Sequence, residues 1–345
     1  MKILVISGCD IAVPPIKYGG SQRMAHNLCV SLSKRNFVVN LLAAEGSQVY
    51  SGKTLNYKCY RFGTSFLGRC YSWIEFQTQC MRLIRGVDLI HTFVHWPEQL
   101  YFLNKIKKPI LYRQGNRPQR NDFQRIIKVN PTNGYLQCLS NDQISKIDIT
   151  DPKKAFVTYN CVDTNFFKKE NVEKENFLLY LGRLNYIKGI DIAVRLSRDS
   201  GVPLKIAGPI RPDEKEAFKL FKERVEPFLC EHIEYLGSVN DFQKRTLLSK
   251  AKALIVPNRW EEPFGIMNIE SLACGTPIIS TNKGSQKELI INGETGFLCN
   301  NYDQLLEAIK NVDLLSEKSC RKDAEERFSY ETYIDQTEKI YQSIL

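Results

Sequence analysis

The sequence predicts an α/β protein of two doubly wound, Rossmann-like units, and three observations carry that reading. Short apolar runs alternate with segments of helical periodicity, the pattern of parallel strands covered by helices on both faces. The alternation is interrupted by the polar stretch 165–176 (NFFKKENVEKEN) and then restarts. At 345 residues the chain is also too long for one ordinary core, because single cores stop growing at about 250–300 residues. Two such units in tandem are expected to face each other across a cleft at the carboxyl ends of their strands, where open α/β sheets take ligands.

The elements follow in order. Residues 3–6 form a buried-strand run, and Gly19-Gly20 leads into a helix over 21–35 with Met24, Leu28 and Leu32 on one face. Further strands are expected at 38–43, 89–94, 109–112 and 135–139. After the linker come strand 177–181, helix 190–197, strand 204–207, helix 214–228, strand 233–236 and helix 241–249. Strand 253–256, helix 266–273 and strand 277–280 complete the second set. Residues 330–345 place Tyr333, Ile334, Thr337, Ile340, Tyr341 and Ile344 on one helical face. The expected domains are therefore 1–165, 166–329 and a closing helix 330–345 that packs back on the first.

Composition excludes several classes. With 43% hydrophobic and 25% charged residues the chain has the make-up of an ordinary globular protein. Its 11 cysteines include no CxxC pair, and His26, His91, His95 and His232 do not join them at zinc spacing, so reduced thiols in a cytoplasmic protein are expected. The amino terminus lacks the long apolar region of a signal peptide, and no run of about 18 apolar residues occurs. Charge is divided unevenly: residues 1–165 hold 22 Lys+Arg against 10 Asp+Glu, or +12, whereas 166–345 hold 26 against 28, or −2. Two readings of that excess stand. One is a solvated basic face; the other is attraction to an anionic acceptor or to the inner face of a membrane, with nucleic acid last because no interleaved basic–aromatic motif occurs.

The motifs narrow the chemistry. There is no GxGxxG, no GK[ST] loop, no GxSxG and no DxD pair, which leaves nicotinamide, ATPase, serine-hydrolase and carboxylate-held metal–nucleotide readings unsupported. Three segments remain. PPIKYGG (14–20) sets two glycines before a helix, where free N–H groups can meet a phosphate; on its own it also reads as a turn. YLGRLNYIKG (180–189) puts Arg183 and Lys188 just past a strand, where two cations can neutralise a departing diphosphate or stay solvated. WEEPFGIMNIESLACGTPII (260–279) places Gly265 at a helix start, with Glu262 before the helix and Glu270 inside it. The N–H groups of Gly265, Ile266 and Met267 can point at a phosphate, Glu262 can bind sugar hydroxyls, and Glu270 can accept from a ribose diol. The bland alternative is a capping carboxylate and a solvated helical glutamate, which the apolar sequence that follows disfavours.

Taken together, these segments resemble the retaining family-4 glycosyltransferases, which have the two-domain GT-B fold. YGGSQRMAHNLCVSL is similar to the family's opening loop and helix, YLGRLNYIKGIDIA to its Gly-Arg…Lys-Gly motif, and EEPFGIMNIESLACGTPII to its Glu-x7-Glu motif. KGSQKELIINGETGFLC and TYNCVDTNFF resemble its closing and interdomain segments, with Cys161 where the family has glycine. The resemblance implies transfer of a hexose from a nucleotide-diphosphate sugar, a UDP-sugar by family habit, to an acceptor hydroxyl, with no metal or other cofactor. It implies Gly19 and Gly20 beneath the diphosphate, with Arg183 and Lys188 holding it. It assigns Glu262 to the transferred sugar, Phe264, Gly265, Ile266 and Met267 to backbone contacts, and Glu270 to the ribose. Glu262, Arg183 and Lys188 are thus the expected catalytic set. Two departures stand out: Gln114 occupies the place of a family histidine near the sugar, and Gln22 that of a glutamate. Gln114 can still hydrogen-bond a sugar hydroxyl, and His91 or His95 are alternatives to it. The rival readings are a non-catalytic nucleotide-sugar-binding protein and an epimerase of the same fold.

Overall fold

In the computed structural model the described residues are 1–8, 11–16, 19–48, 50–56, 66–94, 97–210 and 214–345, with backbone alone at 66–69 and 98. Within these, the chain divides into two compact units, residues 1–160 with 330–345, and residues 161–329. The chain thus passes from one unit to the other inside TYNCVDTNFF, five residues before the 165/166 position, and the segment 165–176 belongs to the second unit.

The first unit is laid down as Lys2–Ile6 (β1), Gly20–Lys34 (α1), Val38–Ala43 (β2), Thr54–Asn56 (β3), Phe66–Leu83 (α2), Leu89–Thr92 (β4), Ile110–Arg113 (β5), Asp122–Val129 (α3), Gly134–Cys138 (β6), Asn141–Ile144 (α4) and Ala155–Val157 (β7). Its strands form one parallel sheet in the order β3-β2-β1-β4-β5-β6-β7. The second unit runs through Leu178–Leu181 (β8), Ile190–Ser200 (α5), Leu204–Ala207 (β9), Lys215–Arg224 (α6), Ile233–Tyr235 (β10), Asp241–Lys250 (α7) and Ala253–Val256 (β11). It continues with Ile266–Ala273 (α8), Ile278–Thr281 (β12), Gln286–Leu289 (α9), Gly296–Cys299 (β13), Tyr302–Asn311 (α10) and Glu317–Phe328 (α11). Its sheet is also parallel, ordered β10-β9-β8-β11-β12-β13. Both are doubly wound sheets whose order reverses once, between β1 and β4 and between β8 and β11, and such a reversal opens a crevice at the strands' carboxyl ends.

The cores follow from the apolar runs. β1, β4 and β5 are buried along most or all of their length, as are β8 and β11, as parallel strands covered on two faces must be. Tyr330–Ile344 (α12) closes the first unit on α1: Tyr330 Oη donates to Asn27 Oδ1 at 2.9 Å, and Arg35 pairs with Asp335 at 2.8 Å.

The structure departs from the expected elements at definable points. The expected helix 214–228 ends at Arg224, and a 3-10 turn Glu226–Phe228 follows, because Pro227 has no N–H to continue the ladder. Strand 89–94 stops at Thr92, whose Oγ1 accepts from the Val94 N–H at 3.0 Å and turns the chain. The short edge strands β3 and β7 carry no alternating apolar signal, and β13 is marked only by the turn before it. None of the described cysteines is paired in a disulfide.

Candidate active site

The site residues of the second unit gather at the switch point of its sheet. The loop after β8 must run close against the end of β11, and Gly189 makes that contact: its φ is +69°, and a Cβ there would lie 2.0 Å from the Pro257 carbonyl oxygen. The same loop is clamped by Arg259, which makes two 2.6 Å bonds to Asp191, donates to the Tyr186 carbonyl at 2.8 Å and stacks 4.0 Å from the Tyr186 ring. Asn185 caps the 3-10 turn by accepting from the Lys188 N–H at 3.1 Å. These contacts bring Lys188 Nζ into an ion pair with Glu262 Oε2, both side chains being nearly buried.

That carboxylate oxygen is the meeting point of three donors. Besides Lys188 it accepts from Trp260 Nε1 at 3.2 Å and lies 3.5 Å from Asn258 Nδ2, while Lys188 sits 4.9 Å from the centroid of the Trp260 ring. The backbone of Glu262 is gripped by the loop after β12: Ser285 N donates to its carbonyl at 3.0 Å, and a Cβ on Gly284 would lie 2.6 Å from its N and its O. A buried carboxylate with a cation and an indole N–H on one oxygen is fixed in place.

Gly265 then starts α8 in a left-handed conformation (φ +85°). The first N–H groups of a helix have no partner within it, and the dipole makes that end electropositive. The turn is locked from behind: Ser285 Oγ and Asn268 Nδ2 donate to the Phe264 carbonyl at 3.0 and 3.4 Å, and Phe264 packs edge-on against Phe328. Glu270, inside α8, is buried, and its Oε1 lies 2.6 Å from Lys244 Nζ on α7. Lys244 also reaches Asp241 at 3.2 Å and lies 4.9 Å from the Phe167 ring centroid. Arg183, just past β8, pairs with Glu214 at 3.5 Å, and its buried Nε has no hydrogen-bond partner.

In the first unit Gly19 and Gly20 stand at the start of α1, and a Cβ on Gly19 would press on Pro15 at 2.9 Å. Lys17 and Tyr18 of the same loop, and His95, lie outside the described residues. Gln114 follows β5 and lines a small pocket with Tyr112, Arg113, Asp122 and Val94. Its carboxamide is engaged within the fold: Nε2 donates to Asp122 Oδ2 at 2.5 Å and Oε1 accepts from the Asn116 N–H at 3.3 Å. His91 is not a site residue. It is fully buried between Tyr341 Oη at 2.8 Å and Gln137 Oε1 at 2.9 Å and stacks on Phe93, so it ties α12 to the sheet. Burial first, and the nearby Arg113 guanidinium second, push its pKa down to about 3, so it is a neutral structural imidazole.

Sequence reasoning missed Lys244, Asn258 and Asp122. Each acts through a partner at long range or on the far side of a turn, and none carries a local spacing signal. Asn258, between β11 and Trp260, was the most readable of the three.

Residues 162–333 match the family model described as glycosyl transferases group 1, which takes in nearly all of the second unit and the start of α12. The chain belongs to the group 1 glycosyltransferases. This glycosyltransferase is 28% identical over 281 residues to the uncharacterized glycosyltransferase MJ1178 of Methanocaldococcus jannaschii, covering 75% of this chain and 76% of that protein. Among solved structures it resembles the sucrose-phosphate synthase of Thermosynechococcus elongatus, with a TM-score of 0.81 at 17% identity over 99% of this chain and 98% of that one. It also resembles Anabaena HepE in complex with UDP and glucose, with a TM-score of 0.76 at 17% identity over 99% and 100%. At such identities the likeness is one of fold, and the fold is GT-B.

Proposed function

We propose that this glycosyltransferase transfers a hexose from a UDP-sugar to an acceptor hydroxyl with retention of anomeric configuration and without a metal. The observation that carries the proposal is the Lys188–Glu262 ion pair beside the amino terminus of α8, with Glu270 buried one turn further on. A diphosphate needs cations and helix N–H groups, a hexose needs a fixed acceptor, and a ribose needs a buried carboxylate. All three kinds of group stand at the switch point of one sheet. HepE, of the same fold, was crystallised with UDP and glucose, which supports the choice of nucleotide and sugar class.

In this reading Arg183 and Lys188 neutralise the diphosphate as charge develops on it. The backbone of Phe264, Gly265, Ile266 and Met267 takes the sugar and phosphate oxygens. Glu262 orients the sugar and Glu270 the ribose. The acceptor hydroxyl attacks from the face that the diphosphate leaves, and the departing phosphate takes its proton, so no side chain is needed as base. That makes the family's missing histidine tolerable: Gln114 has no proton to exchange.

Labelled UDP-hexoses incubated with the protein and candidate acceptors, with EDTA present, test this. Acceptor-dependent release of UDP with an α-linked product from an α-linked donor is expected. Nucleotide binding with no acceptor-dependent product would favour a binding protein, which is the reading that the engagement of Gln114 by Asp122 favours.

A further inference from the structure

Helix α2 has the wrong outer face for a helix that ends in water. Only 3 of its 18 residues are charged, whereas α11 carries 8 charged residues in 12, of both signs. Its inner face buries Phe76, Gln77, Cys80 and Leu83. Its outer face shows Tyr71, Ile74 and Met81, with Tyr71 61% and Ile74 58% exposed, where a solvated surface helix places charges.

A second element extends this face. Trp73 meets the rings of Tyr101 and Phe102 at centroid distances of 6.2 and 6.1 Å, and all three are exposed. Gln77, buried beneath them, joins the two segments: Nε2 donates to the Gln99 carbonyl at 2.5 Å, and Oε1 accepts from the Phe102 N–H at 3.3 Å. The aromatic cluster is therefore held on a rigid support. Exposed cations accompany it on the same two segments. Lys105 Nζ lies 4.1 Å from the Tyr101 ring centroid and donates to its hydroxyl at 2.7 Å, and Lys107, Arg82 and Arg85 are exposed. Residues 101–108 contain three lysines and no carboxylate.

We propose that this face seats the first unit on the surface of an anionic lipid bilayer. Exposed Trp, Tyr and Phe favour the headgroup–acyl boundary, an amphipathic helix with an apolar outer stripe lies in that plane, and clustered lysines and arginines are attracted to anionic headgroups. Among the described residues no helix is long and apolar enough to cross a membrane, so the helix lies along the surface. The charge favours lipid over a second copy of the chain, because residues 166–345 offer only a −2 balance against the +12 of residues 1–165. This proposal makes no use of the donor residues, so it stands or fails separately from the transferase reading.

Co-sedimentation with vesicles of phosphatidylcholine, alone or mixed with phosphatidylglycerol, tests it on the full-length protein. The protein is expected to pellet with the anionic vesicles, less so as salt rises. Trp73→Ser with Phe102→Ser is expected to lower the partition about tenfold, and Lys105→Glu with Lys107→Glu to remove the preference for the anionic vesicles. The thermal midpoint of each variant, measured alongside, separates lost docking from lost folding. Wild-type protein left in the supernatant, or folded variants that pellet like wild type, would overturn the proposal. So would a lipid-free dimer that the Trp73→Ser, Phe102→Ser variant abolishes, because that assigns the face to a second copy.

Discussion

The two units share an architecture and use the carboxyl ends of their strands in opposite ways. In the second unit the groups around the switch point are ions held against ions: Lys188 with Glu262, Lys244 with Glu270, and Arg183 with Glu214. In the first unit the comparable polar side chains are consumed by the fold. His91 bonds Tyr341 and Gln137, Gln114 bonds Asp122, and the buried Arg113 donates to Asn160 and lies over Phe93. An ion pair at a crevice can exchange one partner for a charged ligand at little cost, because the ligand replaces the charge it displaces. A buried network whose charged members, Arg113 and Asp122, are already bonded within the fold has no such substitute and loses hydrogen bonds when opened. The comparison agrees with the proposed placing of most donor contacts in the second unit.

The largest expected effect sharpens that division. Lys188→Ala is expected to lower kcat by about 10²–10³, the usual loss when a charge-stabilising group is removed from a reacting centre, and steady-state rates on a UDP-hexose measure it. Next, Glu270→Ala is expected to weaken UDP binding about tenfold to a hundredfold, as for the loss of charged hydrogen bonds. Calorimetry checks this, and unchanged affinity would remove the ribose assignment. Lys244→Met should weaken UDP binding by less and reduce the preference for UDP over 2′-deoxy-UDP, since Lys244 bonds the Glu270 carboxylate that the proposal assigns to the ribose.

A fourth prediction concerns the first unit and pH. The folded-state pKa of His91 lies near 3, below the ordinary value of 6.5, so the unfolded chain binds the extra proton first as pH falls. Stability is then fully present above about pH 6.5 and drops by up to about 1.4 kcal/mol per pH unit between there and about pH 3. Thermal melts of the wild type and His91→Gln from pH 7 to 4.5 should show a shallower slope in the variant. The smallest effect is Gln114→Ala, which leaves Asp122 with one strong donor fewer and should cost about 1–2 kcal/mol of stability, with kcat little changed. A large fall in kcat at an unchanged melting temperature would break the comparison and return Gln114 to the sugar.

Much of this was legible in the residues themselves. Parallel α/β architecture in two sets follows from apolar runs and their restart, because burial on two faces demands continuous apolar strands. The Glu262, Gly265 and Glu270 constellation was equally legible, since its members lie within nine residues and a helix start fixes their relation. Local spacing carries both. The α2 helix was not legible, because an outward apolar stripe hides the amphipathic period that marks a helix.

Tertiary structure alone decided which polar side chains meet. Lys188 and Glu262 are 74 residues apart, Lys244 and Glu270 are 26, and His91 and Tyr341 are 250. Sheet order brought the first pair together by setting β8 beside β11, and packing of α7 against α8 brought the second. It also moved His91 from candidate catalyst to core, through a helix that begins two hundred and more residues downstream. A side chain's chemistry is written in its type, but its pKa, its partner and its freedom to meet a ligand depend on what the fold places around it, and that is set by contacts no local window contains.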